Sequence, residues 1–321
     1  MGDIIHIYRL RELRALPKPS WLIEGILHRN TIAVIAASKA AFKTFLAIDF
    51  GMNVALGRDW NGHKTVQGNV LHIVGEGGSG ISARTQAWEI HNGIALPEPS
   101  AWSCTMPGIN LMDENKASAL CAAALQAFPN GIELLVVDTL ARNQHGDENS
   151  TQQMSALVQN IDSVRDVLGC TVLFLHHFNR GGKFRGSSVL DGAFDTVILM
   201  DREGDISTVV CDKQKDAAEF EPFRLKKKWI DVPDTTDGSI VLELDTSASP
   251  HISIILRELS RFGSKGATID QVKDICPLEA KSFDLAWHEA IRTDLIVPKD
   301  GMLALRNTVY VRNLQALDIA A

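Results

Sequence analysis

Five short apolar runs punctuate the first 200 residues: TIAVIAA (31–37), NVLHIVG (69–75), IELLVVD (132–138), CTVLFLHH (170–177) and FDTVILM (194–200). Each is near-continuous in Val, Ile and Leu rather than alternating. That pattern suits strands covered on both faces, as in a parallel sheet. Helical patterns follow the first three runs, in FKTFLAIDFGMNVAL, ISARTQAWEIHNG and STQQMSALVQNIDSVRDVL. The last of these is expected to start near Thr151, with Asn149 or Ser150 as its N-cap. Alternating β and α units predict a doubly wound α/β domain.

Farther on, ISTVVCDKQ and SIVLELDT read as antiparallel strands at a sheet edge. DTSASP (245–250) is a small, polar linker ending in proline, which divides the chain into 1–247 and 251–321. The second part contains HISIILRELSRFG, TIDQVKDIC and EAKSFDLAWHEAIRTDLIV, then the hairpin-like VPKDGMLALRNTVYV. Three helices and a hairpin suggest a small winged-helix-like domain. It holds nine basic and nine acidic residues from His251 onward. That balance suits protein contact more than DNA reading.

The formal net charge of −7 means that any nucleic-acid contact must come from a local patch. Five irregularly spaced cysteines argue against a disulfide framework and for a reducing compartment. No apolar run approaches the roughly 20 residues of a membrane helix. The N-terminus lacks a signal-peptide core, so a cytoplasmic protein without membrane contact is expected.

Chemistry concentrates at the ends of the apolar runs. IAVIAASKAAFKTFLAIDF (32–50) turns from strand to helix on Lys43–Thr44, the layout of a phosphate loop, G-x-x-x-x-G-K-[ST]. Ala37 and Phe42 stand where the glycines belong. Such a loop works by aiming backbone N–H groups and a helix N-terminus at phosphates while lysine adds a mobile charge. Ser38, Lys39, Ala40, Ala41, Phe42, Lys43, Thr44 and Phe45 form the candidate nucleotide-binding segment. Lys43 would reach the β- and γ-phosphates, and Thr44 would place its hydroxyl on Mg²⁺. Read alone, the segment is equally a strand–helix junction with a chance Lys–Thr.

Asp138, at the tip of IELLVVD, is a second candidate Mg²⁺ residue, although any strand can end on Asp as a turn residue. Glu76, just past NVLHIVG, is placed to act as general base on water. In a parallel sheet these tips share one edge, where ligands of doubly wound sheets bind. Residues 75–80 also satisfy G-x-G-x-x-G, the dinucleotide fingerprint. The acidic residue about 20 positions on, Glu98, lies among prolines with no strand before it, which speaks against that reading.

His176 or His177 would lie beside a γ-phosphate at the tip of CTVLFLHH; a locally bonded His pair is the plain alternative. No nearby cysteine supports a zinc site. The next segment sets Arg180, Lys183 and Arg185 among Gly181, Gly182 and Gly186, a basic loop suited to a nucleic-acid backbone or simply to solvent.

Together, SKAAFKTFLAID, VGEGGSGISARTQAW, VVDTLARNQHGDENSTQQM, LHHFNRGGKFRGSSVLDGAFDTVI and DKQKDAAEFEPFRLKKK resemble the RecA-like ATPases of plasmid and phage replication, the RepA-type hexameric helicases. The likeness runs from about Trp21 to Trp229. In similar proteins Phe often precedes the loop lysine, so Ala37 is the remaining departure and leaves the loop's path open. The resemblance implies a RecA-like core, ATP with Mg²⁺ between the subunits of a homo-hexamer, and single-stranded DNA in its channel. It also implies a replication-initiator or primase partner and an N-terminal arm packed on the next subunit.

By the same resemblance Glu76 is the catalytic glutamate and His177 the γ-phosphate sensor. Lys213 and Lys215 map onto the K-x-R segment that DnaB-like rings insert into a neighbour's site. The expected function is an ATP-hydrolysing, ring-forming DNA helicase or translocase. The alternatives are a non-unwinding DNA-dependent ATPase that loads or organises partners, and an interaction module with an inactive loop.

Overall fold

The computed structural model describes residues 7–16, 18–177, 188–233, 235, 237–247, 249–299 and 308–313. A short helix α1 (Leu10–Ala15), with no buried residue, precedes a small antiparallel pair, β1 (Trp21–Ile23) and β2 (Leu27–His28). The chain then alternates β3 (Ile32–Ala37), α2 (Lys43–Leu56), β4 (Val70–Val74), α3 (Ile81–Asn92), β5 (Trp102–Thr105) and α4 (Glu114–Ala127). It continues through β6 (Leu134–Asp138), α5 (Thr151–Leu168), β7 (Thr171–His177), α6 (Ser188–Ala193) and β8 (Thr196–Glu203). Antiparallel β9 (Ile206–Gln214), β10 (Phe223–Ile230) and β11 (Ser239–Leu244) complete one nine-stranded sheet, ordered β11-β10-β9-β8-β3-β7-β6-β4-β5.

Strands β3, β4, β5, β6, β7 and β8 run parallel. Every residue of β3, β4 and β6 is buried, because each face of the sheet carries its own apolar layer. Ala33, Ile35 and Ala37 pack with Leu46, Ala47, Phe50 and Val54 of α2. Ile32, Val34 and Ala36 belong to the opposite layer, with Leu120 of α4 and Leu157 and Ile161 of α5. The strand period of two survives, but both sides of it are apolar.

Local chemistry sets the helix ends. Ser150 is the N-cap of α5, its hydroxyl accepting from the Gln153 N–H, and Gly169 closes that helix at φ 62°. Asp113 caps α4 through the N–H groups of Asn115 and Lys116. Within α2, the Asp49 carboxylate accepts from the indoles of Trp60 and Trp88 at 2.6 and 2.7 Å, tying the helix to its neighbours.

The antiparallel wing corrects one expectation. ISTVVCDKQ does form an antiparallel strand, yet β9 is interior, because β10 pairs along its outer side and β11 forms the edge. β10 reads FRLKKKWI, with Lys226 and Lys228 exposed and Leu225 buried, so its basic run hid a strand. Beyond it lie α7 (Pro250–Ser260), α8 (Ile269–Lys273), α9 (Ala280–Arg292) and the antiparallel pair β12 (Ile296–Pro298) and β13 (Tyr310–Arg312). They share a separate apolar cluster built on Ile255, Leu256, Phe283 and Trp287. Among the described residues no helix is long and apolar enough to cross a membrane.

Candidate active site

The loop from β3 to α2 opens the site. Ala37 is the last residue of β3, in register with His177 on one side and Met200 on the other. It is buried within regular strand, so the glycine missing there leaves no gap in the loop's path. The conformational demand falls instead on Ala40, at φ 61°, and on Phe42, at φ 67° and ψ 18°. Left-handed backbone costs a non-glycine residue on the order of 1 kcal/mol. Phe42 is also the N-cap of α2 and makes no side-chain cap, so the helix start keeps its positive dipole end facing the loop.

Lys43, the first residue of α2, folds back over that loop. Its Nζ donates to Ser38 O at 2.9 Å and Ala37 O at 3.4 Å, and lies 3.2 Å from His177 Nδ1. Burial pushes its pKa down to about 8, against the opposing pull of Asp138 and Glu76. Thr44 Oγ1 donates to Asp138 Oδ2 at 2.8 Å. Asp138 ends β6 between β4 and β7, and its Oδ1 is buried with no hydrogen-bond partner among the described residues.

Glu76 lies just beyond β4. Its Oε1 is 3.9 Å from His177 Nε2, and its Oε2 accepts from Arg142 Nε at 3.4 Å. Gly75 makes this placement possible. Its N–H donates to Asp138 O at 2.6 Å, and a Cβ there would sit 2.6 Å from Arg142 Cβ and 2.9 Å from Asp138 O. Gly75 therefore serves a close strand-tip crossing, and Gly77, at φ 67°, starts the turn that leads into α3. His177 spans the gap between Lys43 and Glu76. Burial lowers its pKa first and the Lys43 charge second, so the ring favours its neutral form. His176 is buried and, by strand alternation, faces the other layer.

Two neighbours escaped sequence reasoning. His72, fully buried in β4, brings Nε2 to 3.6 Å from Asp138 Oδ2. Its one signal was a polar residue inside the apolar run NVLHIVG. Arg142, the second, follows Asp138 by four positions but reaches Glu76 from 66 positions away.

Lys213 and Lys215 are not brought to this edge. Lys213 pairs in register with Val197, and Lys215 N–H donates to Asp195 O, beside the start of β3. Lys215 lies at the opposite end of the sheet, roughly 17 Å along the strand from the level of Ala37, and Lys213, level with Val34, lies roughly 10 Å from it. Lys213 Nζ donates to Asp191 O at 3.0 Å, and Lys215 Nζ pairs with Asp195 Oδ1 at 3.1 Å. Arg180, Lys183 and Arg185 lie outside the described residues.

A Lys–Thr loop at a helix N-terminus, joined by hydroxyl to a strand-tip aspartate on a mainly parallel sheet, defines a P-loop ATPase of the α/β class. Residues 10–183, more than half of the 321-residue chain, match the model of the AAA domain family, and the chain belongs to that family. The match takes in Lys43, Thr44, Glu76, Asp138 and His177 and ends before Lys213. Nucleotide binding and hydrolysis follow from that membership.

Proposed function

We propose that the chain is a ring-forming, ATP-driven DNA helicase or translocase with a RecA-like core, acting on single strands in plasmid- or phage-type replication. The observation that carries the ring is the separation of charges. Lys43 and Glu76 share one edge, while Lys215 sits at the other and Lys213 part-way to it, each bonded away from its own loop. In a head-to-tail ring the far edge of one subunit faces the phosphate-loop edge of the next.

In this reading Lys43 holds the β- and γ-phosphates, and the loop from Ser38 to Phe45 cradles them with α2 behind it. Thr44 and Asp138 would hold Mg²⁺; the orphaned, buried Asp138 Oδ1 beside a hydroxyl suits a hydrated cation. Once bound, the ion neutralises charge on the phosphate oxygens. Glu76 accepts the proton of the attacking water, and His177, kept neutral, can donate a hydrogen bond to a γ-phosphate oxygen. Lys213 and Lys215 reach the neighbour's phosphates, as point charges without arginine's bidentate fork.

Arg180, Lys183 and Arg185 contact the DNA backbone in the channel. The C-terminal helices and strand pair form a winged-helix-like module that docks a replication initiator or primase. Its balanced charge also suits the second reading, an ATPase that loads partners without unwinding.

Hydrolysis with and without single-stranded DNA, unwinding of a forked duplex and the mass of the assembly with an ATP analogue test the proposal. The expected result is DNA-stimulated hydrolysis, strand displacement and a ring of about six subunits. Stimulation without displacement selects the loader, and hydrolysis by a monomer with no response to DNA overturns both.

A further inference from the structure

The phosphate loop follows a glycine-like path without glycine, and the β8–β9 hairpin lies against it at three consecutive residues. Arg202, near the end of β8, donates from Nη1 to Ala40 O at 2.8 Å. Its guanidinium carbon lies 4.2 Å from the centroid of the Phe42 ring. Ser207 of β9 donates from Oγ to Ala41 O at 3.4 Å between them. Arg202 Nε is anchored on Gly204 O at 2.6 Å, which fixes the direction of an otherwise exposed side chain. The two strained residues of the phosphate loop, Ala40 and Phe42, are the two of that loop on which Arg202 bears.

We propose that Arg202 is a positioning residue for the phosphate loop, holding Ala40 and Phe42 in the left-handed conformations that glycines would adopt unaided. One face of the guanidinium stacks on the ring while its edge donates to the carbonyl two residues earlier. A flat, forked cation can do both at once and an ammonium cannot. Loss of the clamp frees Phe42 to relax toward negative φ, which turns the N–H groups at the start of α2 away from the phosphates. Arg202 touches no reacting atom and acts through the loop. The inference rests on the nucleotide-site reading above.

The test uses the full chain with Arg202→Ala, Arg202→Lys, Phe42→Gly and the double variant Phe42→Gly/Arg202→Ala. Binding of a fluorescent ATP analogue, kcat and KM, and amide exchange of the 38–45 segment without nucleotide are measured. Arg202→Ala should weaken analogue binding by about tenfold and raise KM more than it lowers kcat. It should also speed exchange in the 38–45 segment but not in β3 or β6. Arg202→Lys should fall between Ala and native.

Whatever Phe42→Gly does alone, the Arg202→Ala effect should shrink to about twofold in its background, since glycine takes φ near 67° without help. An equal loss in both backgrounds, or native affinity together with native exchange in Arg202→Ala, overturns the proposal. If the native chain binds no nucleotide, the site reading fails. The exchange comparison then still decides whether Arg202 holds the loop.

Discussion

The parallel half of the sheet and its antiparallel wing treat strand direction in opposite ways. In the parallel half, β3, β4, β6 and β7 all end at one edge, so Lys43 meets His177 from 134 positions away and Thr44 meets Asp138 from 94. In the wing the chain turns back. The β8–β9 hairpin therefore sets Arg202 at the phosphate-loop edge and leads to Lys215 at the far one. A parallel sheet gathers groups into one site, whereas a hairpin distributes cations between two edges. In the proposed ring, the first arrangement serves chemistry within one subunit and the second work between subunits.

The sharpest way to break that contrast is at the gathered edge. Glu76→Gln should lower turnover by about 10²–10⁴-fold while ATP binding persists, measured by steady-state hydrolysis and equilibrium binding. Lys43→Ala should lose both. Turnover surviving Glu76→Gln would remove Glu76 from the chemistry.

The far edge comes next. Lys213→Ala and Lys215→Ala should cut turnover by up to about a hundredfold, less than the loss of an arginine finger, with binding intact. Mixing Lys215→Ala with Glu76→Gln subunits should recover activity, since each supplies what the other lacks. Mixtures no more active than either variant alone would end the between-subunit role.

A pH titration sharpens the comparison further, because Lys43 is buried whereas Lys215 is exposed. With its pKa near 8 in the folded chain against 10.5 ordinarily, Lys43 binds fewer protons folded than unfolded. Stability of the nucleotide-free protein should therefore rise between about pH 8 and 10.5, followed by urea unfolding. ATP affinity has the opposite sign. Phosphate favours the charged form, so affinity should fall above pH 8, by at most about tenfold per unit, with proton uptake visible by calorimetry in buffers of different ionisation heat. The smallest effect is expected from Arg142→Ala. Its pair with Glu76 is long at 3.4 Å and solvent-exposed, so turnover should change by under about fivefold.

Much of the gathered edge was legible because it depends on strands buried on both faces, whose apolar runs and polar tips stand out in one dimension. Lys43, Thr44, Glu76 and Asp138 each sit at or just beyond the end of such a run. The wing was less legible, because the basic residues of β10 masked a strand. The outer end of the parallel half was hidden too, since β5 is only four residues long. α4 is a run of small residues, ALCAAALQA, with little amphipathic contrast. The histidine ambiguity yielded only to strand register, which turns His177 toward Lys43 and His176 into the opposite layer.

By itself the sequence determined the parallel strands β3, β4, β6, β7 and β8 and the polar residues at the tips of β4, β6 and β7, because burial on two faces leaves mostly Val, Ile, Leu and Ala before those tips. Only the tertiary structure decided the rest. His72 stands beside Asp138, Arg142 beside Glu76, and the strain of the phosphate loop rests on Ala40 and Phe42 rather than on Ala37. Arg202 meets that strain from 162 residues away. Such contacts arise from strand order and hairpin direction, and a backbone dihedral or a cross-sheet neighbour leaves no periodic trace along the chain.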